Sequence, residues 1–361
     1  MSFWDGIAPR LTACLPLADA VPAVSGRMLL HAGPPFATPS ACPRPMLNAA
    51  IAAALAEGWC HTPAEAETAV TSGALPLHPA QDYGVVTPLA CVVSPTMPVL
   101  RVEAAGITAL SPVNDGPTTG ALRFGLSDPA AQVARIAEMA ALAPVLSAAL
   151  ATGEIPLLPL MASAIEQGDD LHGSVAAMTA LLADRLALQG AADPYVRGPL
   201  FALNPVMAAA AAMLKAGARA APEPMVIAAG SNGVTFGWIC SDAPDRWQTA
   251  PAQPPMGPRM DDGTAPVLPA IGDSAVIDAL GLGGPILRYA QPLRAALSPF
   301  HDPAVFAPSE TFLAAHPGLP SDISLGCAVR RMGAHPGVML AMLGAGGEGL
   351  IGRGLAPWPQ T

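Results

Sequence analysis

The sequence predicts an α+β chain of several subdomains, and three observations carry that reading. Short β-type runs and Ala-rich helical stretches are intermixed, without the regular strand–helix–strand rhythm of a doubly wound sheet. Of 361 residues, 52% are apolar and only 12% charged, roughly half of the ~25% usual in soluble domains, so a large core is available. The length exceeds one average domain, and 42 prolines and 35 glycines punctuate it throughout.

Taken in order, residues 27–31 are the first strand-like run. Thr62-Pro63-Ala64-Glu65 combines a capping hydroxyl, a proline at the first helical position and a capping-box glutamate, opening a helix toward Gly73. Residues 85–93 and 99–103 read as strands. Asp128-Pro129 opens the longest helix, 129–150, which Pro144 should kink. Gly168 and Gly190 bracket a helix over 171–189, and Asn204-Pro205 opens another that stops near Gly217. Residues 225–229 and 234–240 form a hairpin across Gly230-Ser231-Asn232-Gly233, where Asn-Gly supplies the positive φ of a tight turn. The proline-rich stretch 243–270 lacks periodicity. It is a linker or an extended segment pinned by Trp247, and it marks a boundary.

Net charge −10 without a basic cluster excludes nucleic acid as a natural partner. The long uncharged stretch 83–100 holds Pro88, Pro95 and Pro98, so no spanning helix is expected there. Asp5 precedes Arg10, and Pro16 and Asp19 interrupt the apolar run that follows, so no secretory leader is expected and the protein reads as cytoplasmic. The six cysteines lie far apart with no metal-ligand spacing, which suits buried, reduced thiols and neither a zinc site nor another cofactor. So few charges on so long a chain also suggest a surface partly covered by other subunits.

Several turns carry candidate chemistry. His31 stands at a strand end before Gly33, Pro34 and Pro35, which suits either a fixed catalytic ring or one satisfied by a neighbouring carbonyl. Asn114-Asp115-Gly116 is a turn by composition, followed by Arg123. If a helix begins near Asp169, then Asp169 and His172 share a face, and a carboxylate beside an imidazole is half of a general-base unit. Incidental helix-start acids would give the same pattern. Gly272-Asp273-Ser274 before an apolar run either caps a short helix or presents amides to an anion. Gly344, Gly346 and Gly349 match GxGxxG but lack the helix, strand and acid of a dinucleotide site, so a tight turn is expected.

Together, HAGPP (31–35), VVSPTMPVLRVE (92–103), NDGPTTGALRFG (114–125), QGDDLHGSVAA (167–177), LNPVMAAA (203–210), SNGVTFG (231–237) and IGDSAVIDALGLGG (271–284) resemble, in order and spacing, the YlbE/AllG-like family. The resemblance implies an α+β chain with an N-terminal subdomain (1–125), a small helical one (126–200) and a C-terminal one (201–361). It also implies a subunit of an oxamate carbamoyltransferase, working in allantoin breakdown with an FdrA-type partner on carbamoyl phosphate and a small amide. Under that reading His172 with Asp169, and His31, are catalytic. Gly33, Gly116, Gly233, Asn114 and Asn232 supply donors, Arg123 meets phosphate, and Asn204, Asp273 and Ser274 bind substrate. The sequence departs from the family pattern at Ser174-Val175, at Ser231, at Ala80-Gln81-Asp82-Tyr83 and around Ala345-Gly346, where cationic or metal-type residues are usual. Those losses keep two alternatives open: a hydrolase of amides or cyclic imides, and a non-catalytic scaffold subunit.

Overall fold

A computed structural model describes residues 2–359. The N-terminal part runs β1 (Arg10–Pro16), α1 (Leu17–Ala20), β2 (Leu29–His31), α2 (Arg44–Ala56), α3 (Pro63–Thr71), β3 (Leu77–Pro79), β4 (Pro98–Ala104) and β5 (Ile107–Pro112). Then come α4 (Pro129–Ala151), β6 (Ile155–Pro156), α5 (Leu158–Glu166), α6 (Ala176–Leu186), α7 (Ala192–Val196) and α8 (Leu203–Gly217). The rest is β7 (Val226–Asn232), β8 (Thr235–Cys240), β9 (Gln248–Pro251), β10 (Ile271–Gly272), α9 (Ala275–Leu280), α10 (Gln291–Leu297), β11 (Phe312–Ala315), β12 (Ser324–Cys327), β13 (Val338–Leu343) and β14 (Leu350–Ala356). This is the mixed α+β class, with helices beside several small sheets.

Two four-stranded antiparallel sheets, ordered β5-β4-β1-β6 and β10-β7-β8-β9, frame the molecule. Between them lies α8, which touches β4 and β5 on one side and β7 and α9 on the other. A helix apolar all round belongs in a core, and α8 is buried at nearly every position, with Ala208–Ala212 letting both layers approach closely. Trp4 closes its C-terminal end: a Cβ on Gly217 would lie 2.4 Å from that indole. One hydrophobic core runs from Trp4 to Trp358 through all three segments expected from sequence.

The locally signalled elements form as read. Thr62 accepts from the Glu65 amide while the Glu65 carboxylate accepts from the His61 amide, a reciprocal cap on α3. Asp128 caps α4, which continues through Pro144 to Ala151. By length and composition α4 could cross a bilayer; one stripe of it, Ile136, Met139, Leu142, Leu146 and Leu150, packs in the protein core, and most of its other positions are exposed or half-buried. The β7–β8 hairpin turns at Gly233 (φ +83°). Gly344 to Gly349 form the tight turn of the β13–β14 hairpin. The proline-rich stretch forms β9 and then an extended strap bridged to β14 at Met256 and Arg259, and the Trp247 indole N–H donates to Asp82. All six cysteines are free and buried.

Three expectations give way. Residues 85–93 are not a strand: Pro88 interrupts the run and Leu89 is left-handed (φ +47°), leaving a buried loop with isolated bridges at Val85 and Val93. The helix expected over 171–189 starts only at Ala176, and residues 168–175 form a loop. Asn204 does not cap α8; its amide donates to the Pro112 carbonyl from inside the first turn.

Gly125 takes φ +60°, and a Cβ there would lie 2.4 Å from the Pro45 backbone at the start of α2. Gly125→Ala combines left-handed strain with overpacking and should cost about 2–4 kcal/mol, read as a lowered urea midpoint at unchanged m-value.

Candidate functional site

The loop between α5 and α6 is tied down by two adjacent acids. Asp169 accepts from Ser174 Oγ (2.7 Å) and from the Ala176 and Met178 amides (3.1 and 2.8 Å), satisfying free donors at the start of α6. Asp170 accepts from the amides of His172, Gly173 and Ser174. Directly after them Leu171 sits at φ +66°, a backbone state costing a bulky residue about 1–2 kcal/mol and held only by surrounding structure. The result is a rigid bend presenting His172.

The acid against the His172 ring is Asp278 on α9, not Asp169: Nδ1 lies 2.6 Å from Asp278 Oδ2. Asp278 is fully buried, and its Oδ1 accepts from the Gly284 and Met339 amides (2.8 and 3.1 Å). A carboxylate only accepts, so Nδ1 carries a proton, and in a neutral ring the lone pair is the one on Nε2. Gly283 leaves the room this requires, since a Cβ there would fall 2.5 Å from Asp278 Oδ1 and 3.0 Å from His172 Cβ. From the other side His335, kept neutral by burial that lowers its pKa to about 4, donates through Nε2 to the Asp278 carbonyl.

His172 faces a cavity of about 210 Å³ shared with Ser274 and Arg123. Arg123 is buried, lies over the Phe124 ring, pairs with Asp115 and donates from Nη2 to the Gly116 carbonyl at 2.7 Å. Its Nε–H has no partner among the described residues, and desolvation lowers its pKa to about 10. The walls are otherwise mostly apolar. Two of the lining residues, Leu89 and Leu200, hold left-handed backbones (φ +47° and +65°), and a third such leucine precedes His172. Strain of this kind concentrates at sites that hold a ligand. Arg353 of β14 also lines the cavity and has no acidic partner among the described residues.

The family model described as "Oxamate carbamoyltransferase subunit AllG" matches residues 75–274, more than half of the chain. The chain belongs to the AllG family. It is similar to the oxamate carbamoyltransferase subunit AllG of Escherichia coli K12, 33% identical over 276 residues, covering 72% of this chain and 65% of that protein. It is also similar to the uncharacterized protein YahG of the same organism, 29% identical over 289 residues, covering 74% of this chain and 59% of that protein. The chain thus spans 65% and 59% of these relatives' lengths. A crystal structure of a conserved protein of unknown function from Enterococcus faecalis V583 has the same fold, with TM-score 0.86 at 24% identity over 99% of this chain and 92% of that one.

Of the residues singled out from sequence in this AllG family chain, His172, Arg123 and Ser274 line the cavity. Asn114, Gly116 and Asn204 stand behind Arg123: Asn114 donates to the Leu200 carbonyl and accepts from the Gly116 amide. A second group is knitted together away from the cavity lining. Gly33 donates to Asp273 and presses on the Ser231–Asn232 backbone; Asn232 donates to the Pro34 carbonyl and caps the Gly233 turn. Asp273 also accepts from Gln81 and from the Thr87 amide and hydroxyl. His31, fully buried and stacked on Phe36, donates from Nδ1 to the Ala32 carbonyl, while its Nε2 has no partner among the described residues. His31, Gly33, Asn232, Gly233 and Asp273 are not among the residues that line the cavity.

Sequence reading passed over Asp278, Asp115 and Arg353. The available signal for Asp278 was a lone acid inside the apolar run from Ser274 to Ile286. The Asp169–His172 pairing rested on a helix beginning near Asp169; because α6 begins seven residues later, Asp169 serves its amides instead.

Two outcomes follow. Asp169→Ala should lose about 2 kcal/mol of stability through uncapped α6 amides, measured by urea unfolding. Burial pushes Asp273 up to about 7, whereas an unfolded aspartate titrates near ~3.9. The native state therefore holds the proton longer, so this contribution to stability is complete below about pH 4 and is lost as pH rises through 7. His31 and His335, lowered to about 4, change with the opposite sign and are constant above about pH 7.5. Between pH 6 and 8 the unfolding free energy of Asp273→Asn should show a less negative dependence on pH than that of wild type.

Proposed function

We propose that this chain is a subunit of a carbamoyltransferase-type enzyme acting on a small amide or ureido compound, with oxamate and carbamoyl phosphate as the reference pair. The observation that carries this is the His172–Asp278 couple opening on a cavity that also holds Arg123 and Ser274. An amide nitrogen is a poor nucleophile, so the reaction needs a base at nitrogen and donors at the carbamoyl oxygen. His172 Nε2 takes the amide proton as nitrogen bonds to the carbamoyl carbon, and Asp278 stabilises the imidazolium. Arg123 Nε–H and Ser274 Oγ–H are the donors for the developing oxyanion. The carbon–oxygen bond to phosphate breaks, phosphate leaves with the electron pair, and the imidazolium returns the proton to it.

The family membership supports a multi-subunit setting, and an FdrA-type chain is the proposed partner. Six free, buried thiols fit a reducing, cytoplasmic compartment. One observation favours a second reading, hydrolysis of an amide or cyclic imide: Asp115 already neutralises Arg123, which weakens that side chain as a phosphate site.

Phosphate release from carbamoyl phosphate plus oxamate, with and without the FdrA-type partner, decides among these. His172→Ala should lower turnover about 10²–10⁴-fold with the fold intact, and Asp278→Asn, which disturbs the ring tautomer, by a comparable factor. A near-normal rate in His172→Ala removes the base assignment; turnover of amide without phosphate release selects the hydrolase.

A further inference from the structure

We propose that the ligand of this cavity is a ureido acid that carries one carboxylate and an aliphatic side chain, so that a compact all-polar molecule such as oxamate underfills the site. This rests on the functional reading above and names the substrate class of the same cavity.

Arg123 is balanced by Asp115, and His172 faces Asp278, so neither offers an uncompensated positive charge. Among the described residues Arg353 is the cation on the lining without an acidic partner, and it is exposed at the middle of β14. One such cation matches a single carboxylate, in the planar two-point geometry that guanidinium groups favour.

The opposite consideration is area. The wall built by β13, β14 and the strap presents Met339, Leu340, Leu350 and Met260, and Leu203 of α8 adds to it. Met260 is 66% exposed, a large side chain left wet beside the opening. Polar ligand atoms set against this wall would lose water without gaining a partner. Methylene groups set there gain affinity, about fourfold in Kd for each one fully buried.

Calorimetric titration of the full chain with N-carbamoylglycine, N-carbamoyl-L-valine, N-carbamoyl-L-leucine and oxamate reads this directly. The leucine compound should bind at least thirtyfold more tightly than the glycine compound, with valine between them and oxamate weakest. N-carbamoyl-L-leucinamide, which lacks the carboxylate, should bind at least tenfold more weakly than its acid, and Arg353→Gln should abolish that difference. Leu350→Ser, at a half-buried position, should flatten the series while sparing the glycine compound. A flat or inverted series, oxamate binding tightest, or no binding by any member overturns the proposal. Graded binding without any carbamoyl transfer would sink only the reaction assigned above. Phosphate release with oxamate beside a flat series would sink only the side-chain claim.

Discussion

The arrangement hinges on a buried contact between an imidazole and a carboxylate 106 residues apart, His172 and Asp278. A charged carboxylate without water is costly unless several donors meet it, and here two backbone amides and a ring N–H do so. Those donors come from the α5–α6 loop, the Gly283–Gly284 turn and the start of β13. Satisfying one acid therefore fixes three separate stretches of chain relative to one another. It also fixes which ring nitrogen is left for chemistry.

Asp273, five residues before Asp278, plays the complementary part on the other side of α9. Its oxygens gather Gly33, Gln81 and Thr87, joining the first segment of the chain to the third. The tightness at Gly33 follows from this, since its amide must reach the carboxylate while its Cα rests on Ser231. Glycine-bearing bends that looked alike in the sequence thus divide into those that shape the cavity and those that lock the scaffold behind it. Gly173 belongs to the first kind, Gly33 and Gly233 belong to the second, and Gly283 makes room for the Asp278–His172 contact.

Legibility from sequence tracked the range of the interactions involved. The caps of α3 and α4 and the Gly233 hairpin are specified by residues within a few positions of each other, and they were readable. The path of residues 85–93 was not, because the Thr87 amide is claimed by Asp273, 186 residues on, in place of a strand neighbour. The same holds at the site. His172, Arg123 and Ser274 stood out as residue types in suggestive turns, but the acid that orients the imidazole lies on a distant helix. Asp169 shares a motif with His172, and its side chain was already committed to the Ala176 and Met178 amides.

The sulfur chemistry of the chain has a practical corollary. Burial pushes the thiols of Cys14, Cys42 and Cys91 up to about 12 and raises Cys60, Cys240 and Cys327 as well. Thiolate is the reactive form, so alkylation of the folded molecule should be slow. Four of these sulfurs lie before residue 100 and two after residue 239, which turns them into natural clocks at both ends of the polypeptide. Their labelling rates count local opening events, and a shared rate at Cys91 and Cys327 would mean that the two ends breathe in unison.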